Sequence, residues 1–503
     1  MAANPSPYDT YTSPLATRNA SEEMLRLWSA RHKFNTWRRI WLAVAEAQHE
    51  MGLPVTKEQV EELRAVVSRG ITDDEIRLAE KYERELRHDV MAHVHALGDS
   101  CPKAKGIIHL GMTSQDVVCN ADLLVISASV GLLDAKLARV VLAFAEFSRK
   151  HSKTPTLAFT HYQPAQPTTV GRRSVVWAGD LRLGKERLRQ DGLPPRMRGL
   201  QGATGTQASY LALFGGDHLK TQTLNDMFGV QGPWSPVNAG GSVEFAEQSQ
   251  TYPRVYDTFI LADLASVASV LHKIATDIRL LCNRKELDEP FEDKQIGSSA
   301  MPYKRNPMRC ERICGLSRFV MNLVGNAYDT AATQWLERTL DDSSNRRLSL
   351  PEAFLALDGA LDLMHNVASG LIVHEAMVKK NLMAELPFMA TENILMECVK
   401  LGGDRQHYHE LIRQHAQAAG LRVKQEGLDN DLLDRLKNDK NFSGKGRGGP
   451  LSAELNWDGV MDPMKYVGRS VEQTERFIKE VVEPLREQYK GAIAKLGTTG
   501  PRV

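Results

Sequence analysis

Between Ile260 and Leu281, apolar residues recur in steps of four and three: Ile260, Leu264, Val267, Leu271, Ile274, Ile278 and Leu281. That is the period of one helix face. Over this stretch it predicts a single helix roughly 33 Å long. A helix this long, with so continuous an apolar stripe, has to bury the stripe against other helices. Phe34, Trp37, Trp41 and Val44 repeat the pattern and stop before Gly52-Leu53-Pro54. Leu133 to Phe147, Phe354 to Leu371 and Ile478 to Tyr489 repeat it again. Alternating strand patterns are nearly absent. The predicted fold class is all-α, with helices packed near about +20° in a bundle.

Polar, Gly- and Pro-rich breaks fall at 103–116, 192–209, 229–242 and 441–450, and again after Pro290. They suggest an N-terminal helical domain over 1–112, a long-helix bundle over 113–373 and a C-terminal helical domain over 374–503. Long bundle helices often find their partners in other subunits. Lys and Arg number 63 against 62 Asp and Glu. That balance argues against a general nucleic-acid binder and leaves room for local anion sites. The opening MAANPSPYDTYTSPLATRN does not read as a signal peptide, and no apolar run approaches the ~20 residues of a membrane span. Six scattered cysteines without a CxxC pair predict a reduced chain located in the cytoplasm.

Several polar stretches interrupt this pattern. Residues 297–308 read GSSAMPYKRNPM and offer little to a core. Residues 87–95 hold three histidines, of which His88 and His95 share a helix face. Zinc would want HExxH or a carboxylate at matching spacing. Local capping and an active-site role for Arg87-His88-Asp89 both stay open. Thr113 and Ser114 precede a helix, with Asp116 in its first turn; this suits an N-cap and equally a carboxylate site. His161 sits in the proline-braced FTHYQPAQP, where an imidazole suits a general acid or base. Arg338 and Arg347 flank a polar helix start and match an anionic ligand. The glycine-rich 441–450 has neither the spacing nor the strand of a phosphate loop. Gly202–Thr206 likewise lacks the strand of a dinucleotide site.

Together these blocks resemble the fumarase/aspartase superfamily, whose signature loop has the form GSSxMPxKxNP. RHDVMAHVH, FTHYQPAQPTTVG, GATGTQASY, RTLDDSSNRR and ELPFMATENI also match, so the likeness spans Ser13 to Leu485. The YKRNPM wording is most similar to members that act on succinylated purine nucleotides. The resemblance implies three helical domains and a homotetramer whose active sites draw on three subunits. It implies anti elimination of fumarate from adenylosuccinate, giving AMP, and from the succinocarboxamide ribotide of purine synthesis. It implies no metal and no organic cofactor. The implied partners are anionic small molecules and further copies of the chain, without nucleic acid or membrane. An argininosuccinate-cleaving member fits the YKRNPM wording and the arginine set less well. A non-catalytic structural homologue would not need Ser298, His161, Lys304 and Glu311 together.

Carried over residue by residue, Ser298 is the base, His161 the acid and Glu311 the glutamate that orients the histidine. A serine hydroxyl is a poor base, so it needs donors around it and a loop that closes over the substrate. On this reading Gly297 supplies the loop's mobility. Lys304 and Asn306 stabilise the carboxylate that gains charge. Arg87, His88 and Asp89 contact substrate, with His88 beside the phosphate or the reacting atoms. Thr113 and Ser114 hold a succinyl carboxylate, while Thr160 and Gln250 also bind substrate. Arg312, Arg338, Ser343 and Arg347 bind phosphate and other polar groups. Arg18 contacts phosphate, and Asn19 stands where the family carries a tyrosine.

Overall fold

A computed structural model describes residues 9–230, 245, 247–445 and 448–497. Five long helices form the centre: Ser114–Lys150, Val170–Gly192, Val255–Asn283, Met308–Ala332 and Asp341–Gly370. All seven residues of the Ile260–Leu281 stripe are buried there, packed with Leu133, Phe144, Trp177, Phe354 and Leu361. Each such side chain contributes about 1.5–3 kcal/mol by leaving water. Polar ties fix how the helices lie. Lys136 Nζ reaches Asp362 at 2.8 Å, and Trp177 Nε1 donates to Asp277 at 2.8 Å.

A second core joins Trp37 and Trp41 of the Ala30–Glu50 helix to Met197, Leu200, Tyr210 and Phe228. The chain therefore returns to the N-terminal helices well after it has entered the bundle. Leu15 and Met24 pack instead on the central core, as do Leu485 and Tyr489 from the far end. A third core gathers apolar residues between Ala390 and Val460.

The all-α expectation needs one correction, because the chain is mostly helical with two small antiparallel ribbons. Pro155–Thr160 pairs with Gln163–Thr169, and Leu287–Asp288 pairs with Ile372–Val373. The first ribbon hides in the sequence because Pro164 and Pro167 argue against a strand. In a two-stranded ribbon the proline nitrogens can face an open edge. Its two-residue turn is His161-Tyr162, with φ of +54° and +57°.

A second correction concerns apolar length. The helices Ser114–Lys150 and Val255–Asn283 are each long and apolar enough to cross a membrane. They form the centre of the bundle, which accounts for their composition. The breaks at 103–116 and 192–209 are irregular up to the helices that begin at Ser114 and Ala208. Most of 229–242 lies outside the described residues, as do 446 and 447 within the 441–450 break.

Two buried histidines link this packing to acid stability. His93 stacks on Phe34 with ring centroids 3.7 Å apart. His109 Nδ1 accepts from Trp41 Nε1 at 3.1 Å. Burial pushes both imidazoles down to about 4, from 6.5 in the open chain. Above pH 6.5 neither state binds the extra proton and stability is intact. As pH falls from about 6.5 to 4, the unfolded chain alone gains protons, and stability is lost. The melting temperature is expected to hold above pH 6.5 and to fall steadily toward pH 4. A melting temperature unchanged from pH 7.5 to 4.5 would contradict this.

Candidate active site

The first turn of the Ser114–Lys150 helix is held by one buried carboxylate. Asp116 accepts from Thr113 N at 2.8 Å, Gln201 N at 2.9 Å, Gly202 N at 3.1 Å and Tyr210 Oη at 3.1 Å. The Arg198 guanidinium pairs with it as well. Capping and tertiary attachment thus act through the same side chain. The result is a fixed helix N-terminus carrying Thr113 and Ser114, which favours anions.

Ser114 Oγ lies 3.2 Å from His88 Nε2. His88 is the N-cap of the Asp89–Ser100 helix, and its Nδ1 accepts from Met91 N at 3.3 Å. The network therefore assigns the proton to Nε2, which donates to Ser114. Capping uses one ring nitrogen and leaves the other to Ser114, so the capping reading holds and does not compete with a role in the site. Asp89 reaches Arg347 at 2.8 Å. Burial raises the Asp89 carboxyl, but Arg347 overrides this and holds it below the usual range. The other two histidines of the segment have separate contacts: His93 stacks on Phe34 and His95 lies against Tyr82.

Arg338 and Gln250 join the same end of the bundle. Arg338 Nη1 donates to Gln250 Oε1 at 3.0 Å, and Gln250 Nε2 donates to Ala203 O at 2.9 Å. Arg254 pairs with the fully buried Asp342 at 2.7 Å, anchoring the helix that carries Ser343 and Arg347. Arg346 points the other way, into Asp257 at 2.7 Å and Asp122 at 3.0 Å. One residue along a helix turns the side chain by about 100°. Arg346 is therefore a buried tie, while its neighbour Arg347 faces solvent.

The remaining assigned residues lie elsewhere. Ser343 and Gly359 are roughly 24 Å apart along one helix at 1.5 Å per residue. Near Gly359 docks the turn Leu15–Asn19, held by Ser21 N donating to Asp358 Oδ2 at 2.6 Å. Asn19 Nδ2 donates to Pro14 O at 2.9 Å, so one of its amide hydrogens is used within its own turn. Arg18 acts on Arg312: burial first, then the Arg18 charge, pushes the Arg312 guanidinium down.

Arg312 and Glu311 open the Met308–Ala332 helix, just after the GSSAMPYKRNP loop. Ser298 Oγ accepts from Met301 N at 3.1 Å and Ala300 N at 3.4 Å. Asn306 Nδ2 donates to Gly297 O at 2.8 Å, closing the base of the loop. Gly297 does not serve as a free hinge, as its glycine suggested. A Cβ there would collide with the Lys304 carbonyl, so glycine is required by close approach. Ile296 is 76% and Tyr303 84% exposed, and Lys304 and Glu311 also face outward. Thr160 and His161 stand exposed at the hairpin tip. Among the described residues, no hydrogen bond or ion pair joins His161 to Ser298, Lys304 or Glu311. A single chain thus brings Arg87, His88, Asp89, Thr113, Ser114, Gln250, Arg338, Ser343 and Arg347 to one end. It leaves Arg18, Arg312 and the loop beyond the far end of that 24 Å span. Asp116, read from the sequence only as a first-turn acid, and Arg198, which carried no motif, also hold this end together.

Residues 16–322 match the lyase family, and residues 387–477 match the adenylosuccinate lyase C-terminal region. The chain belongs to the fumarase/aspartase lyase family. It is 46% identical to the adenylosuccinate lyase of Schizosaccharomyces pombe, over 97% of this chain and 98% of that one. The Schistosoma mansoni adenylosuccinate lyase is 43% identical over 97% of this chain and 98% of its own. The fold is shared with a 3-carboxy-cis,cis-muconate lactonizing enzyme from Pseudomonas putida, at a TM-score of 0.76 and 23% identity, covering 95% of this chain and 99% of that one.

Two substitutions separate scaffold from site. Asp116→Asn leaves Arg198 buried without its charge partner, and is expected to cost about 3–5 kcal/mol. Chemical denaturation should show it as a lowered midpoint. Gly297→Ala forces the exposed loop open at its base. Activity should be lost while the melting temperature stays within about 2 °C of the parent, since little core is touched.

Proposed function

We infer that the chain is an adenylosuccinate lyase, releasing fumarate from adenylosuccinate to leave AMP and from the succinocarboxamide ribotide to leave the carboxamide ribotide. The near full-length match to lyases of that name carries this reading. The geometry around Ser298 is consistent with it. Two backbone N–H groups aimed at Ser298 Oγ favour negative charge there, as a serine base needs.

The reaction then proceeds as follows. Ser298, as the alkoxide, takes the proton from the carbon beside a succinyl carboxylate. Charge builds on that carboxylate and is met by Lys304 and by the second amide hydrogen of Asn306. The C–N bond breaks as His161 delivers a proton to the departing nitrogen. Glu311 orients the imidazole. The free carboxylate is held by Thr113 and Ser114. Arg338, Ser343 and Arg347, with Arg18 and Arg312 from another copy, take the phosphate.

The separation of Arg18, Arg312 and the loop from the end that carries Arg347 supports a site completed by more than one chain. We therefore propose a homotetramer with active sites shared between subunits. Exposed apolar side chains on the bundle helices support it, including Val176, Leu183, Phe259, Phe319 and Leu348. We also propose a cytoplasmic location; six free cysteines support a reducing one.

Ser298→Ala and His161→Asn should each lower kcat by at least about 10²-fold, in a fumarate-release assay. Both should keep the parent's size in solution. Mixed and reassembled, the two inactive variants should regain partial activity, because some shared sites receive neither lesion. No recovery in reassembled mixed oligomers would rule out sharing of these two residues.

A further inference from the structure

Lys33 lies on the Ala30–Glu50 helix, outside every motif discussed above. Its ammonium sits 4.8 Å from the Trp37 ring centroid and 5.3 Å from that of Phe34. Phe34 in turn stacks on His93 of the Asp89–Ser100 helix, which brings Lys33 beside the residues that follow Arg87-His88. The charges acting on it are Arg347, Asp122, Asp89 and Glu83. None of the three carboxylates lies within the 4.0 Å of an ion pair among the described residues. Asp89 and Asp122 are instead committed to Arg347 at 2.8 Å and Arg346 at 3.0 Å.

A half-buried ammonium with no hydrogen-bonded partner among the described residues is costly. The two rings offset part of that cost through their faces, but they leave the N–H donors open. Burial and then Arg347 push the Lys33 ammonium below its usual range. Lys33 and Arg347 thus feel each other's charge, and Asp89 is clamped to Arg347 alone. An anion with two charges would satisfy both.

We propose that Lys33 is a further substrate-binding residue, whose ammonium grips the substrate phosphate together with Arg347. This rests on the lyase reading above. The alternative is a purely structural cation over two rings. Lys33→Met separates the two, because it keeps the unbranched stem on Trp37 and Phe34 and removes only the charge.

The test is calorimetric titration of AMP and of fumarate into the intact oligomer of the parent, Lys33→Met and Lys33→Arg. Lys33→Met should bind AMP about tenfold more weakly or worse, as expected for a lost charge-assisted bond. Fumarate binding should be unaffected. Lys33→Arg should recover most of the AMP affinity. With adenylosuccinate, the loss should fall on KM rather than kcat. Unchanged AMP affinity in Lys33→Met overturns the proposal, as does a loss confined to fumarate. A loss of AMP affinity that tracks a lowered melting temperature, and that Lys33→Arg does not rescue, assigns the residue to structure and also overturns it. A parent that binds AMP but does not cleave adenylosuccinate would sink the lyase reading alone, since the AMP titration still decides the role of Lys33.

Discussion

The buried carboxylate of Asp116 supports most of what surrounds it. An ionised side chain out of water has to be met by donors on every side. The donors that meet it come from the helix start, from the segment 198–202 and from Tyr210. Satisfying one charge therefore locks three pieces of chain together. Asp342 does the same for the next helix, through Arg254 and Arg338. This end of the bundle is rigid because its polar groups have few other places to go. Ser114, Arg338 and Arg347 inherit that rigidity without being buried themselves.

The long helices have a second consequence. They are good struts and poor enclosures. A helix that carries Ser343 near its start and docks the Arg18 turn further along cannot fold back to bring both to one ligand. Copies of the chain packed side by side can, provided their helices run in opposite senses. The apolar side chains left on the bundle surface, such as Leu183 and Phe259, lie on these same struts. In the proposed tetramer, assembly and catalysis would share one physical origin.

Much of this was legible in the sequence. The period from Ile260 to Leu281 marks a buried helix, and all seven residues are buried. The N-cap reading of Thr113 and the loop reading of GSSAMPYKRNP needed only local chemistry. What stayed hidden was decided by distant contacts. The hairpin under His161 is disguised by Pro164 and Pro167, whose strand is an open edge. Nothing local distinguishes Arg346 from Arg347; helix rotation against Asp257 decides it. Gly297 looks like a hinge until the Lys304 carbonyl is seen against it. Lys33 has no motif at all, and only the stacking of Phe34 on His93 places it beside the Asp89–Ser100 helix.

Backbone strain adds a last step. His161 and Tyr162 both adopt left-handed conformations in a two-residue turn, where Asn-Gly is the usual choice. A non-glycine residue there costs on the order of 1 kcal/mol. Arg87, immediately before the His88 cap, has φ of +56°. A chain selected for stability alone would place glycine or asparagine at these positions. Here an imidazole is held outward at a hairpin tip, and a guanidinium is turned at a helix start. In both cases the turn costs stability and directs a polar side chain away from its own subunit's core. That is the orientation needed when the substrate, and the residues that complete the site, come from outside the protomer.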